Sequence, residues 1–437
     1  MSNSSNSRRK IVITGVGLIS PIGIGVEAFW NSMQAKRSGV AKVELLSATA
    51  LPSNVAGEVK DFTEESAKKL YFTRDQKKSA KVMCREIQLG VAAANLALEN
   101  CGLDLSSTDH NRLGVEFGAN QMFSPPEDLS DGCWRASDNY DFQFNEWGPK
   151  GFGGMQPLWL LKYLPNMPAC HIGIHADAQG PNNSLTMAEA SGNSALGEAL
   201  RIIERDRADI MLAGTCGVRI HPVKALHATL WDRLANFPDQ DPSTWSRPFD
   251  ATRQGQVVGE GACVFILEEE QHAKARGAKI MGQVMGAASS CAIERSGKPN
   301  FKQALVNALR GALRDAGVSP DDVGHINAHG LSDQLIDAEE AAALQEVFGS
   351  RLASIPVTAP KSFLGNSGAA SGTLELAASL IALQNGVLPT TLNYKNPDPA
   401  CPLNVVSGES PAVTNKLFVS LSVTNAAQAS VVVACGA

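Results

Sequence analysis

Residues 185–220 read LTMAEASGNSALGEALRIIERDRADIMLAGTCGVRI, and this stretch decides the fold class. The residues before it, 177–184 (DAQGPNNS), have the Gly, Pro and Asn content of a turn-rich loop. Apolar residues then recur at helical spacing, and residues 208–220 form an apolar run typical of a buried strand. A loop, a helix and a strand therefore follow one another, which predicts an α/β protein.

The same alternation extends along the rest of the chain. Where strands alternate with helices, the expected architecture is a sheet covered by helices on both faces. The other predicted strands are 11–17, 262–270, 279–290 and 325–330. Helices are predicted to begin near Gly25, to span 74–102 with a glycine cap at Gly102, and to lie within 301–323 with a stop at Ala316-Gly317 and a proline beyond it.

The order of elements starts again after a charged segment at 268–279, EEEQHAKARGAK, so we predict two halves that meet near 270–280. Residues 120–165 of the first half are rich in aromatic residues, Gly and Pro. Because they are too many for an ordinary connection, we predict that they form a functional or interface insertion.

The composition argues against several classes of function. Of the 437 residues, 44% are hydrophobic and 19% charged, as expected of a soluble globular protein, and the net charge of −6 argues against nucleic-acid binding. Nine cysteines without a C-x-x-C pair predict reduced thiols and a cytoplasmic location. The N-terminal MSNSSNSRRK and the apolar run after it are interpreted as the approach to a buried strand, not as a secretory signal. No run approaches the ~20 apolar residues of a membrane span.

Generic motifs for metals and cofactors give little. No Walker A motif and no complete dinucleotide-binding loop occurs. His171 and His175, like His325 and His329, have the spacing of zinc ligands on a helix. Both pairs lie in runs that we interpret as strands, where four residues span roughly 13 Å. We therefore predict no metal site and no cofactor.

Polar residues do occur at three predicted strand-to-helix junctions. These are Glu189, His329, and Lys361 with Asn366. Each residue could instead have an ordinary structural role, such as a histidine whose hydrogen bonds are made within the core or a lysine exposed to solvent. However, α/β proteins place their sites at the carboxyl ends of strands, so we expect the three junctions to converge.

Five stretches resemble the β-ketoacyl-acyl carrier protein synthases, the condensing enzymes of fatty-acid and polyketide synthesis. The resemblance runs from about Arg9 to about Val433. It implies the thiolase fold, with duplicated βαβαβαββ halves (1–270 and 271–437), five α-β-α-β-α layers, and dimers formed across a central strand. The stretches are RRKIVITGVGLISPIG (8–23), SRPFDATRQGQVVGEGACVFILEEEQHAKARGAKI (246–280), INAHG (326–330), PKSFLGNSGAASG (360–372) and LPTTLNYKNPDP (388–399).

The resemblance also implies which residues form the site. Glu189 falls on the nucleophilic cysteine of the family, within a loop that begins at Gly180 and Pro181. His329 falls on the first catalytic histidine and Asn366 on the second.

Further family positions match residues around these. Lys361 falls on the conserved lysine, and Asp337 and Glu340 fall on the conserved acidic pair. Val423 falls on the gating Phe, and the glycines of the C-terminal strap become Ala426 and Ala427.

These replacements leave three functions open. Glu189 is a poor nucleophile towards a thioester, and the acyl-glutamate would be an anhydride prone to hydrolysis. The first reading is a non-condensing partner that resembles a chain-length factor. The second is a malonyl-thioester decarboxylase or acyl-thioester hydrolase that uses Glu189, His329 and Asn366. The third is a condensing acyltransferase of unusual mechanism.

An ionised Glu189 would repel a malonyl carboxylate, so we expect Glu189 to be protonated or paired with Lys361 or His329.

The expected partners follow from the same resemblance. They are acyl carrier protein with its acyl or malonyl thioester, and a second subunit, either a copy of this chain or an active synthase. Carrier protein is acidic, and Lys78, Lys81 and Arg85 have the spacing of one basic helix face that could meet it. The alternative is an ordinary solvated helix face.

Overall fold

The computed structural model describes residues 8–437, in which the same succession of elements occurs twice. Residues 1–7, which the predicted first half includes, lie outside the described residues. The first succession is β1 (Ile11–Ser20), α1 (Arg85–Cys101), β2 (Leu113–Ala119), α2 (Met167–Ala176), β3 (Asn182–Leu185), α3 (Ser191–Glu204), β4 (Ile210–Val218) and β5 (Glu260–Glu269). The second is β6 (Gly282–Cys291), α4 (Phe301–Ala316), β7 (His325–Asn327), α5 (Gln334–Phe348), β8 (Pro356–Thr358), α6 (Ser371–Gln384), β9 (Leu417–Val423) and β10 (Gln428–Gly436).

Each succession forms a five-stranded unit with the same strand order. The order is β3-β2-β4-β5-β1 in the first and β8-β7-β9-β10-β6 in the second. In both units the first three strands are parallel and the last two are antiparallel to their neighbours. Three residue pairs between β1 and β6 join the units into one continuous sheet.

The helices form the other layers. α3 and α6 pack against each other between the two units, while α1 and α2 cover the outer face of the first and α4 and α5 that of the second. The duplicated thiolase fold with five layers is confirmed. The domain boundary at 270–271 stays a prediction.

Further short elements connect these. Helices span Val26–Gln34, Arg74–Ser79, Glu127–Arg135, Pro222–Trp231, Glu270–Ala275 and Lys361–Leu364, and short strands span Val40–Lys42, Val55–Gly57, Ser137–Asp138, Asp141–Phe142 and Asn404–Val405. Within residues 8–437, no helix is both long and apolar enough to cross a membrane.

The single helix predicted at 74–102 is wrong, although its end is right. Met83 and Cys84 are extended and separate α1 from the turns before it, whereas Gly102 ends α1 in the left-handed conformation that glycine adopts easily. The break has a tertiary cause. The Arg85 guanidinium donates hydrogen bonds to buried Glu260 and to the carbonyls of Val59 and Phe62, which fixes the start of α1.

The strand predicted around His171 and His175 is also wrong. Both residues lie in α2, whose buried residues Ala169, Ile172 and Ala176 follow helical spacing. The distance argument against chelation therefore fails for this pair. Even so, no group of three or more potential metal ligands occurs among the residues that the structure describes.

Close packing of β1 on α1 allows a direct test of the fold. A Cβ built on Gly17 would lie 2.1 Å from the carbonyl oxygen of Ala93 and 2.2 Å from the amide nitrogen of Ala97. Because both atoms are backbone, Gly17→Ala forces the helix away from the strand. We expect a loss of about 1–3 kcal/mol in the free energy of unfolding, measured by urea denaturation.

Gly148→Ala is the matched control, because its Cβ would meet no atom within 4 Å and its φ is not positive. We expect this variant to unfold at the wild-type urea concentration. Equal unfolding midpoints for Gly17→Ala and wild type would contradict the packing of β1 against α1.

Candidate functional site

Glu189 lies in a single 3₁₀ turn, Ala188–Ala190, that leads directly into α3. Ala188 is left-handed, with φ at +46°. The turn directs the Glu189 side chain into a cavity of about 570 Å³, and 12% of that side chain remains exposed. The structure thus places Glu189 at a loop-to-helix junction, as predicted, and at the wall of a cavity.

The partners of Glu189 differ from those expected. Its Oε1 accepts a hydrogen bond from Asn366 Nδ2 at 2.9 Å and lies 3.8 Å from an Arg219 guanidinium nitrogen. The expected pairing with Lys361 or His329 is therefore wrong. The reason is that Arg219, directly after β4, lies within reach of the carboxylate, whereas Lys361 pairs with Glu375.

The amide of Asn366 is fully occupied. Nδ2 donates to Glu189 and, at 2.6 Å, to Gln256 Oε1. Oδ1 accepts from the Gly368 amide at 2.9 Å and from the Ser371 hydroxyl at 3.0 Å. Asn366 is thus brought to Glu189, but both of its N–H donors are already used.

Arg219 is a site residue that the sequence analysis missed. It also donates to Gln256 at 2.8 Å and pairs with Asp232, so one guanidinium lies between two carboxylates. Burial raises the pKa of Asp232, and the Arg219 charge opposes this rise. The signal available was its place directly after an apolar strand, the same signal that identified His329.

His329 lies apart from this network. It is fully buried, and neither ring nitrogen has a hydrogen-bond partner within residues 8–437. Burial, with a smaller contribution from the nearby Lys361, holds the pKa of His329 well below its usual value. His329 is not among the residues that line the Glu189 cavity, so its imidazole is enclosed by protein.

Asp337 and Glu340 fix the backbone around His329. Glu340 accepts from the amides of His329 at 2.6 Å and Gly330 at 2.9 Å, and Asp337 accepts from Leu331 at 2.9 Å. Burial raises the pKa of Glu340 to about 8 and that of Asp337 to about 7. Both residues therefore position the loop, and neither faces the cavity.

Lys361 is buried and pairs with Glu375, a residue of α6 that the sequence analysis did not single out. Burial raises the pKa of Glu375 to about 7, although Lys361 opposes this. The ammonium group therefore serves an internal ion pair rather than the cavity.

The C-terminal strap is only partly at the site. Val423 ends β9 and is buried without lining the cavity, whereas Asn425, Ala426 and Gln428 line it. Ala427 has φ at +53°, a conformation more usual for glycine.

The three basic residues predicted to meet carrier protein do not share one helix face. Lys78 pairs with Asp75 at 2.7 Å, Lys81 lies in a 3₁₀ turn, and Arg85 pairs with Glu260 at 2.6 Å. None of the three lines the Glu189 cavity. Their binding of carrier protein stays a prediction.

Family models agree with this architecture. Residues 8–273 match the model of the β-ketoacyl synthase N-terminal domain, and residues 281–395 match that of the C-terminal domain. The chain belongs to the β-ketoacyl synthase family.

Relatives within this family come from fatty-acid and polyketide synthesis. The 3-oxoacyl-[acyl-carrier-protein] synthase 2 of Coxiella burnetii is 32% identical over 403 residues, which are 92% of each chain. The solved ishigamide ketosynthase/chain length factor is 28% identical with a TM-score of 0.84, covering 99% of this chain and 100% of that one. A ketosynthase solved in complex with its type II polyketide acyl-carrier protein is 26% identical with a TM-score of 0.82, again covering 99% and 100%.

A test on the Lys361–Glu375 pair shows whether Lys361 stabilises the fold of this synthase homologue. Lys361→Met leaves a buried carboxyl group without its cation, so we expect a loss of about 3–5 kcal/mol in the free energy of unfolding. The double variant Lys361→Met/Glu375→Leu should recover much of this loss, because it removes the unpaired group. Urea denaturation measures both.

Lys302→Met is the control, because Lys302 pairs with Glu346 at the surface, where the two side chains are 42% and 37% exposed. Exposed pairs contribute about 0–1 kcal/mol. If Lys361→Met is as mild as this control, the buried pair does not hold the fold as described.

Proposed function

We propose that this member of the β-ketoacyl synthase family is a non-condensing partner protein. It binds acyl or malonyl thioesters on carrier protein without forming a covalent acyl intermediate, and it assembles with a ketosynthase that has the nucleophilic cysteine. The observation that carries the proposal is the occupied amide of Asn366, which Glu189 and Gln256 both engage.

Condensation needs a nucleophile and hydrogen-bond donors that face the cavity. A thiolate must first accept the acyl group, and Glu189 offers only a weakly nucleophilic carboxylate in its place. Donors must then stabilise the enolate formed when malonyl loses CO₂. The Asn366 donors are used, and His329 lies outside the cavity wall. The first half therefore lacks a thiolate, and His329, the family donor whose ring nitrogens have no partner within residues 8–437, does not line the cavity.

Retained features support binding rather than loss of all function. The Glu189 cavity of about 570 Å³ is within the size range of small-molecule sites, about 300–1,000 Å³. The ishigamide ketosynthase/chain length factor supports assembly with a second, active chain, and the carrier-protein complex of the other ketosynthase supports carrier protein as the bound partner. A cytoplasmic location and the absence of a cofactor belong to the same proposal.

We expect no chemical change when the purified protein is incubated with malonyl-carrier protein and acyl-carrier protein and each chain is followed by intact mass. The Glu189→Cys variant is the positive control. It places a thiol directly before α3, so we expect this variant to gain the mass of the acyl group.

Co-expression with a cysteine-bearing ketosynthase of the same genome should yield a stable complex, in which the two chains copurify.

Each alternative gives a different mass. Loss of CO₂ from malonyl-carrier protein, abolished by His329→Ala, would establish the decarboxylase. Release of the acyl group with addition of water to the carrier thioester would establish the hydrolase. An acyl adduct on the wild-type chain would establish the unusual condensing mechanism. Failure of Glu189→Cys to acquire an acyl group would contradict the binding of thioesters in this cavity.

A further inference from the structure

The charges around the Glu189 cavity do not cancel. The Asp, Glu, Lys and Arg side chains that line it are Glu189, Arg219, Lys224 and Asp232. Each cation has a carboxylate partner of its own, because Arg219 pairs with Asp232 and Lys224 pairs with Glu86 at 2.6 Å. Glu189 is the carboxylate that is left over. The cavity, taken with Glu86 behind Lys224, therefore has one uncompensated negative charge.

The other two carboxylates already have their hydrogen bonds. One oxygen of Asp232 accepts from Arg219, and the other accepts from Asn425 Nδ2 at 2.6 Å. Glu86 accepts from Lys224 and from two backbone amides, at 2.8 and 3.2 Å. Neither carboxylate needs a further donor from a ligand.

Glu189 has donors on one oxygen only. Its Oε1 accepts from Asn366, and the same oxygen is the one 3.8 Å from Arg219. Its Oε2 accepts no hydrogen bond from residues 8–437, and it is not one of their buried polar atoms without a partner, so it is accessible. Because Glu189 lines the cavity, we infer that Oε2 faces this space. A carboxylate oxygen in that position is satisfied by water or by an N–H or O–H donor of a ligand.

An aromatic surface lines the same cavity. Trp231 ends the helix Pro222–Trp231 and is 71% exposed. Its indole contacts His227, with ring centroids 4.5 Å apart, and the rest of the indole surface is open. An indole ring attracts a cation placed over its face, and the attraction is stronger where water is excluded. A free carboxylate oxygen and an open indole on one cavity wall together suit an ammonium group.

Three kinds of ligand end differ in how they meet this wall. A carboxylate end, such as that of a malonyl group, is repelled by the uncompensated charge of Glu189. A neutral alkyl end takes water away from Glu189 Oε2 and gives no donor in return, which is costly. An ammonium end supplies both a donor and the opposite charge. The expected order of affinity is therefore ammonium, then alkyl, then carboxylate.

We propose that the Glu189 cavity selects ligands that have a primary ammonium group, which donates a hydrogen bond to Glu189 Oε2 and lies against Trp231. Two sources supply this chemistry, a free amine or an aminoacyl group held as a thioester. The thioester source rests on the proposed function and narrows its thioesters to aminoacyl ones. The free-amine source does not depend on the proposed function.

Titration of the full chain with three N-acetylcysteamine thioesters, followed by isothermal titration calorimetry, tests the proposal. The β-alanyl thioester has the ammonium end, the butyryl thioester is its neutral isostere, and the malonyl thioester has the carboxylate end. We expect the β-alanyl thioester to bind at least tenfold more tightly than the butyryl thioester, and the malonyl thioester to bind most weakly. Equal affinities for the β-alanyl and butyryl thioesters, or binding of none of the three, would overturn the proposal.

Two variants locate the selection at the wall. Glu189→Gln keeps an acceptor for Asn366 but removes the charge, so we expect it to lose the preference for β-alanyl and to bind malonyl at least threefold more tightly. Trp231→Leu removes the indole and should reduce the preference for β-alanyl about threefold. Because Trp231 is mostly exposed, this second variant leaves the core intact. A preference that both variants keep in full contradicts the proposed site.

Glu64→Gln is the matched control. Glu64 pairs with Lys68 at the surface, its side chain is 71% exposed, and it does not line the Glu189 cavity. The variant changes the net charge of the chain by the same amount as Glu189→Gln, so it should keep the wild-type preference. Equal loss of the preference in both variants would mean that the overall charge selects the ligand, which overturns the proposal.

A second pair of ligands identifies the source. β-Alaninamide and butyramide have the same two ends without a thioester. A tenfold preference for β-alaninamide that Glu189→Gln removes supports a free amine as the source. The same preference among the thioesters alone supports the aminoacyl thioester.

Failure of this inference differs from failure of the proposed function. Butyryl and β-alanyl thioesters that bind equally well leave the non-condensing function standing and remove only the ammonium site. A chemical change of malonyl- or acyl-carrier protein in the mass assay removes the non-condensing function and leaves these titrations unaffected.

Discussion

The close packing of α3 against α6 at their amino-terminal ends is the constraint on which the site depends. A Cβ on Gly192 would lie 3.0 Å from the Thr373 amide nitrogen, and one on Gly217 would lie 2.0 Å from the Ser367 carbonyl oxygen. The Thr215 and Thr373 hydroxyls meet at 2.6 Å. Because no side chain fits between these segments, the turn before α3 and the turn before α6 are held side by side. Glu189 reaches Asn366 only for this reason.

Once the two turns meet, the Glu189 carboxylate determines which groups its neighbours pair with. A carboxylate in this half-buried position needs donors, and Asn366 and Arg219 are the groups within reach. A donor that satisfies Glu189 is not free to stabilise an enolate. The carboxylate at position 189 and the use of an Asn366 donor are thus one feature of the site. Lys361 and His329, which are buried in the second unit, take no part in this pairing.

The sequence predicted what depends on local pattern. Alternating periodicity identified the α/β class, and glycines marked the ends of α1 and α4. Polar residues at strand-to-helix junctions identified Glu189 and Asn366, which contact each other, whereas His329 and Lys361, found by the same signal, are not partners of Glu189. What it could not predict depends on contacts between distant residues. The break before Arg85 comes from Glu260, 175 positions away, and the pairing of Glu189 comes from Arg219 and Asn366. The family resemblance supplied the positions of the site residues but not their partners.

The end of β4 explains the polar character of the Glu189 cavity. Arg219 and Lys224 follow the strand within six residues. Arg219 pairs with Glu189 and Asp232, and Lys224 pairs with Glu86. Both cations are largely buried and line this cavity, and desolvating such groups without replacing their hydrogen bonds is costly. Their acidic partners supply those bonds. A chain that keeps the fold and has an acid at position 189 thus needs an amide and a guanidinium beside that acid, and the turn before α6 and the end of β4 provide them.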